Sequence, residues 1–425
     1  MKPCATLGLE FIFVKKKKMR WLFFFLFYGA IDFYAYQAFK TLTKHPWAPW
    51  VYFGTSFLVL AIFVGQLLSM GEARSTQPGQ LYVFGLFLAF FVPKLLIGAF
   101  MITEDIVRLI WGVIRQFTAE PTQFLPGRRR FVSSLALITA ALPFGALLYG
   151  MFRGKYQYQV LSYALSFDDL PDAFEDYTIV HISDLHCGSF DDPEKVDYGL
   201  SLIQDQQPDL ILFTGDLVNN RADELNPWQE LFSQLSAPDG VYSVLGNHDY
   251  GDYVPWANVQ EKQANMEDLK NRQEKMGWRL LLNEHQIIER GSDRIALIGV
   301  ENWGAGGFKK LGDFEKATQG IDPKGFKILM SHDPSHWEHQ VKDHELKVHL
   351  TLSGHTHGMQ FGVDIPGLIK WSPVQYRYPY WAGIYREKDQ FLNVNRGFGF
   401  IGYPGRVGIK PEVSVIKLKK GSKST

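Results

Sequence analysis

Apolar residues follow two different patterns along the chain, and the change falls near residue 155. Before it lie four stretches, residues 21–39, 50–70, 81–103 and 131–152, that are apolar on every side of a helix apart from isolated charges at Asp32 and Lys94. Each reaches the roughly 18 residues that a helix needs to cross a bilayer. A helix buried in a large soluble domain would bring a polar residue back every third or fourth position, and these stretches do not. Tyr and Trp at several of the ends suit the membrane interface. The pattern predicts an all-α region of four transmembrane helices within residues 1–155, with the lipid bilayer as its partner.

After residue 155 the apolar runs are short and separated by turn residues. Runs at 157–167, 178–183, 210–214, 240–245, 326–330 and 348–352 read as strands, and 279–289 with 294–300 as a strand pair around Gly291-Ser292. Helices are expected at 193–206, at 228–235 and, long and polar, at 256–276. Strands alternating with helices, then further strands, predict an α/β domain over residues 156–425 with two stacked β-sheets flanked by helices.

Charge and cysteine content narrow the options. The 44 basic and 44 acidic residues cancel, which removes the bulk positive charge of a nucleic-acid binder, so no nucleic-acid partner is expected. Cys4 and Cys187 are far apart and suggest no disulfide framework. Asp32 and Lys94 sit inside spans, where charge is costly. They read either as a headgroup or ion pathway or as a pair facing the bundle interior, and their isolation favours the pair. Glu104, Asp105 and Arg108 read as the wet end of the third span.

The chemistry lies in five motifs of the second half: Asp184-Leu185-His186, Gly215-Asp216, Gly246-Asn247-His248-Asp249, Ser331-His332-Asp333 and Gly354-His355-Thr356-His357-Gly358. Each follows an apolar run, and strand ends are where α/β folds place their sites. The side chains are oxygen and nitrogen ligands for divalent metals. Two ions about 3.5–4 Å apart need a bridging ligand. A carboxylate can bridge and an imidazole cannot, and Asp216, at the end of a buried run, is the natural bridge.

In this order the motifs resemble those of the calcineurin-like metallophosphoesterase superfamily, over roughly residues 158–418. Tyr380-Trp381-Ala382-Gly383, Asn395-Arg396-Gly397 and Pro411-Glu412 are similar to its membrane-associated bacterial branch. The resemblance implies a four-layer αββα sandwich and two divalent metal ions of the Mn, Fe or Zn kind. It implies Asp184, His186, Asp216 and His357 at the first ion, and Asp216, Asn247, His332 and His355 at the second. His248 would contact the phosphate and assist the leaving group, and Asp249 would orient His248. A metal-bridging hydroxide would attack phosphorus in line. Met359 departs from the pattern, where a glycine is more usual.

Four spans dedicate such a site to a membrane surface. The expected substrates are phosphodiester, phosphomonoester or pyrophosphate bonds of a lipid-linked or envelope molecule. A second reading is a UDP-2,3-diacylglucosamine pyrophosphohydrolase, and a third is a non-catalytic membrane scaffold with a vestigial domain. Trp371, Tyr376, Tyr378, Tyr380 and Trp381 suit an apolar rim or a core equally. Arg377, Arg386 and Arg396 could hold a second phosphate, and Asn219-Asn220-Arg221 lies near enough to Asp216 to touch substrate. The lysine run 15–18 argues for a cytoplasmic catalytic domain, whereas a start at Met19 would remove it. Arg128, Arg129 and Arg130 resemble a twin-arginine export signal, and an extracytoplasmic catalytic domain is expected.

Overall fold

The computed structural model of the chain describes residues 6–69, 78–118, 126–365 and 367–421. Cys4 lies outside them, as do the side chains of the lysine run 15–18. Two compact units form: Met1–Gln66 with Leu86–Leu148, and Leu67–Gly85 with Tyr149–Thr425.

The four apolar stretches are helices α1 (Thr6–Leu42), α2 (Ala48–Ser69), α3 (Pro78–Thr118) and α4 (Pro126–Phe152). All four are long and apolar enough to cross a membrane. Phe23, Trp50, Phe57 and Leu142 point outward, as side chains do when lipid is the solvent. Lys94 and Asp32 do pair inside the first unit, at 2.6 Å, and Lys94 also donates to Ser56 Oγ at 2.7 Å. α3 runs well beyond the expected end at residue 103. The charges read as its wet end are paired: Glu104 is buried against Arg128 (3.2 Å) and Arg129 (2.6 Å), and Asp105 takes Arg129 at 2.7 Å.

The second unit is built on two six-stranded sheets. Strands are numbered along the chain. The first sheet holds β1 (Gln159–Phe167), β2 (Thr178–Ile182), β3 (Leu210–Phe213), β4 (Val241–Ser243), β5 (Trp278–Leu280) and β14 (Glu412–Lys420), in the order β1-β14-β2-β3-β4-β5. The second holds β6 (Glu284–Arg290), β7 (Asp293–Gly299), β8 (Phe326–Met330), β9 (Leu350–Ser353), β12 (Gly383–Glu387) and β13 (Gln390–Val394), in the order β12-β13-β9-β8-β7-β6. A separate hairpin pairs β10 (Val363–Ile365) with β11 (Ile369–Trp371).

Side chains alternate faces along a strand, and both faces of these strands are apolar because both are covered. In β3, Leu210 and Leu212 join the layer between the sheets, while Ile211 and Phe213 face the outer helices. Those helices are α5 (Pro193–Gln204), the single turn α6 (Gln229–Phe232) and α7 (Val259–Lys275). α5 starts where Pro193 follows Asp192, whose side chain accepts from Lys195 N; Asn258 caps α7 in the same way. On the second sheet, Ile295 and Leu297 face inward, and Ala296 and Ile298 face an outer cluster with Phe314 and Trp337. The layers are helix, sheet, sheet, helix.

One expected element is corrected. Residues 279–289 are not one strand: β5 ends the first sheet and β6 begins the edge of the second. Between them Asn283 has φ 58°, in the left-handed region that Asn tolerates. Its side-chain carbonyl accepts from Glu301 N (3.0 Å) and Asp313 N (2.9 Å), and its amide donates to Leu311 O (3.1 Å), which fixes the crossing between sheets.

Leu212→Ala opens the layer between the sheets and is expected to destabilise by about 2–5 kcal/mol. Tyr198→Ala, on the exposed face of α5, is expected to stay within about 0.5 kcal/mol. Thermal unfolding of the full-length protein in detergent measures both.

Candidate metal centre

The candidate ligands all stand at or just past the C-terminal end of a strand. Asp184 and His186 follow β2, Asp216 follows β3, and Asn247 with His248 follow β4; His332 follows β8, and His355 with His357 follow β9. β2, β3 and β4 are neighbours in one sheet, and β8 and β9 in the other. The ligands therefore meet across the seam between the sheets.

The turns that carry them are strained. Asp184 (φ 54°), His186 (46°), Asp216 (59°), His355 (69°) and His357 (50°) are all left-handed. That conformation costs a side-chain-bearing residue roughly 1–2 kcal/mol, and such strain gathers at functional sites. It is held by bonds from the same segments: Asp184 N donates to Gly215 O (2.9 Å), His186 N to Asp216 O (3.0 Å), and His355 N to the Asp184 carboxylate (3.0 and 3.2 Å). Two glycines permit the close approach: a Cβ at Gly246 would strike the Asp216 carboxylate, and one at Gly354 would strike Ser183 and Asp184. Met359 is also left-handed, at φ 54°, so its position suits the more usual glycine.

Two clusters result. Asp184, His186 and His357 each bring a ligand atom within 4.8 Å of the others, and so do Asp216, His332 and His355. Asp216 Oδ2 lies 3.2 Å from His332 Nε2 and 3.5 Å from His186 Nε2, so it faces both clusters. Asp184 Oδ1 does so too, 3.1 Å from His357 Nε2 and 4.0 Å from His332 Nε2.

The donor set fits divalent metal ions. Asn247 donates its amide to the Tyr253 hydroxyl (2.9 Å) and leaves Oδ1 buried without a partner. His332 Nδ1–H donates to the Thr214 carbonyl (2.7 Å), and its buried Nε2 lies 3.2 Å from the Asp216 carboxylate without hydrogen-bond alignment. An imidazole held this way at its outer nitrogen is set to ligate through the inner one. His186 and His357 oppose their Nε2 atoms at 3.0 Å, where two neutral rings need a shared proton or cation between them.

Electrostatics follow from burial. Burial opposes the charged form of Asp184, but His357 and His332 outweigh it and hold the carboxyl below its usual range. Burial likewise opposes a charged His332, yet Asp216 and Asp184 push it up to about 10. His186 and His248 are lowered, chiefly by burial.

The expected role of Asp249 is corrected. Its carboxylate does not touch His248. It accepts from Asp216 N (2.9 Å), Leu217 N (2.8 Å), Val218 N (3.2 Å) and Gly246 N (2.9 Å), and so clamps the turns after β3 and β4 together. His248 is oriented by a backbone group instead: its Nδ1–H donates to the Asn219 carbonyl (2.8 Å). The reason is geometric, because the left-handed turn at Asp216 turns successive N–H groups toward Asp249.

A cavity of about 210 Å³ opens over the cluster. Phe308, Val374, Arg377, Tyr378 and Ile401 line it beside His248. Tyr378 places its hydroxyl 2.8 Å from His355 Nε2, and the Tyr253 ring packs against His248 at 4.5 Å. Neither tyrosine belongs to a motif, although Tyr253 lies only six residues beyond Asn247. The three arginines separate. Arg377 is exposed at the cavity, Arg386 pairs with Asp389 on the surface, and Arg396 is buried between Asp364 (2.6 Å) and Glu412 (2.5 Å). Asn219 and Asn220 are buried and Arg221 stacks on Trp256, so this segment does not line the cavity. Tyr378 and Trp381 are buried, whereas Trp371 and Tyr376 are exposed.

Residues 177–359 match the family model described as "Calcineurin-like phosphoesterase", and residues 19–155 match "Probable Calcineurin-like phosphoesterase, transmembrane domain". The chain belongs to the calcineurin-like metallophosphoesterases. It is a membrane-anchored, metal-dependent phosphoesterase. Its relatives include a "Transmembrane protein with metallophosphoesterase domain" of Danio rerio, 28% identical over 373 residues, which cover 85% of this chain and 79% of the relative. The "Uncharacterized metallophosphoesterase YkuE" of Bacillus subtilis is 28% identical over 299 residues, 69% of this chain and 97% of its own length. Among solved structures, the Haemophilus influenzae NAD nucleotidase aligns over 52% of this metallophosphoesterase at 16% identity and a TM-score of 0.33. This chain spans 45% of the length of that structure.

Two outcomes are expected. A metal that ligates His332 must displace its proton, so the apparent Kd for Mn²⁺ should fall by about tenfold for each pH unit from about pH 6 to 8; calorimetric titration at several pH values reads this. Asp249→Ala leaves four buried N–H groups without their acceptor. It should weaken Mn²⁺ binding by about 10–100-fold, with Asp249→Asn intermediate, as measured by metal content after dialysis.

Proposed function

We propose that this metallophosphoesterase uses two divalent ions to hydrolyse a phosphodiester, phosphomonoester or pyrophosphate bond of a lipid-linked substrate. Asp184, His186, Asp216 and His357 hold one ion, and Asp216, Asn247, His332 and His355 hold the other. The observation that carries the reading is the pair of buried carboxylates, each facing both histidine clusters, beside the unpartnered Asn247 Oδ1 and a His332 Nε2 that faces Asp216 at 3.2 Å. When bound, the ions supply a Lewis acid and a water nucleophile of lowered pKa.

The protein's own groups do the rest. His248, held at Nδ1 by the Asn219 carbonyl, presents Nε2 to the cavity it lines. Burial lowers its pKa, so a protonated ring gives up its proton readily, and the leaving oxygen is the recipient. Asp249 is a positioning residue, since it holds the turn that carries Asp216. Arg377 offers a cation to a phosphoryl group at the mouth. Phe308, Val374 and Ile401 give that mouth apolar walls, and the four spans keep it in a membrane protein; both support a lipid-linked substrate. The basic residues Arg108, Arg115, Arg128, Arg129 and Arg130, gathered around residues 119–125, support an extracytoplasmic catalytic unit. An enzymatic reporter fused after Lys420 should be active only outside the cytoplasm.

His248→Ala should retain both metals and lose about 10²–10⁴-fold in kcat; metal loss would make it a ligand instead. The full-length protein, chelated and resupplied with Mn²⁺, should cleave bis(p-nitrophenyl) phosphate, p-nitrophenyl phosphate or a diacyl phospholipid, with the lipid preferred in kcat/KM. Cleavage of the soluble esters alone would overturn the lipid-linked reading.

A further inference from the structure

The β10–β11 hairpin is turned inside out. Its register pairs Val363 with Trp371, Asp364 with Lys370, and Ile365 with Ile369. Paired residues share a face, and faces alternate along each strand. One face is therefore Val363, Ile365, Ile369 and Trp371; the other is Asp364 and Lys370. In water the apolar face of a hairpin turns inward, but here the polar face carries the anchors, although Lys370 as a whole remains exposed. Asp364 is held by the buried Arg396 at 2.6 Å, and Lys370 donates to the Ala382 carbonyl. The apolar four remain 39–48% exposed, and Leu368 beyond them is 78% exposed. The polar anchors fix the direction in which the apolar face points.

We propose that this hairpin docks into the headgroup–acyl boundary of the lipid bilayer. Four aliphatic side chains with a tryptophan are the composition of an interfacial element. The occupant follows from the chain itself. The last span ends at Phe152 and β1 opens at Gln159, so no more than residues 153–158 separate the first strand from a membrane span, and the effective concentration of bilayer beside it is high. The hairpin is also part of the site's own loop. It lies between His357 and Tyr378, which reaches His355, and Ser372 at its base donates to the Gly358 carbonyl at 2.7 Å. Docking thus brings the site to the membrane surface, and this consequence for turnover rests on the lipid-linked reading above.

The test uses the full chain in nanodiscs of phosphatidylcholine and phosphatidylglycerol. Cys4→Ser removes one thiol, and Cys187 is buried. An environment-sensitive fluorophore is placed at Leu368→Cys and, as a control, at Lys388→Cys on an exposed turn. Position 368 should be quenched by lipids with a nitroxide on the acyl chain and shielded from iodide, with the reverse at 388. Equal iodide quenching at both positions overturns the proposal. Shielding that rises with protein concentration also overturns it, since a second copy then covers the face. In a second arm, Ile365→Asp with Leu368→Asp should leave bis(p-nitrophenyl) phosphate hydrolysis unchanged and lower kcat/KM on nanodisc phospholipid by at least tenfold. If the unmodified protein cleaves no phospholipid, the substrate reading fails while the quenching still decides the docking.

Discussion

Negative charge buried at close quarters is the constraint on which this site depends. Asp184, Asp216 and Asp249 are all withdrawn from water, and an uncompensated buried carboxylate costs several kcal/mol. Each is compensated differently. Asp249 accepts from four backbone amides, whose dipoles offset part of the cost, while burial and the Asp216 charge still push its carboxyl up to about 7. Asp184 and Asp216 receive one backbone segment each, from His355 and His248, and otherwise face imidazoles. Amides alone do not saturate those two, and the remaining positive charge has to come from protons or cations. The left-handed ligand turns are the backbone's part in this arrangement, because they aim N–H groups at carboxylates that a relaxed turn would leave bare.

Much of this was legible in the sequence, and the reasons are specific. The four spans could be read because lipid imposes an unbroken apolar surface. The β2, β3, β8 and β9 strands could be read because both faces of each are covered, which leaves dense apolar runs ahead of each motif. The single strand expected at 279–289 failed because apolar residues on either side of Asn283 serve different sheets, and periodicity carries no signal of that switch. α3 continues as a helix past residue 103, and the partners of Glu104 and Asp105 there lie a helix away, at Arg128 and Arg129. The family pattern named candidate ligand residues that the fold brings together, but the role expected of Asp249 did not survive the hydrogen bonding. The Thr214 and Asn219 carbonyls, which orient His332 and His248, have no side-chain signature.

Arg396 shows how far a polar residue's sequence setting can mislead. It resembles a phosphate ligand, yet it is a structural cation with a carboxylate on either side. Glu412 begins the last strand and Asp364 belongs to the outward-facing hairpin. Breaking such a pair from one side leaves the other charge buried and alone. One residue therefore couples the set of the hairpin to the assembly of the sheet beneath the metal centre.

The position of β14 has a consequence for biosynthesis. This strand closes the second unit in sequence but is interior in its sheet, parallel to β1 on one side and antiparallel to β2 on the other. Strand β2, which delivers Asp184 and His186, is paired on both edges only once residues 412–420 have left the ribosome. By then the four apolar helices, synthesised first, are already available for membrane insertion. During translation the phosphoesterase unit is an open sheet with an unfilled slot until residues 412–420 are made, a species prone to aggregate. Anchoring comes before activity, in an order set by strand topology.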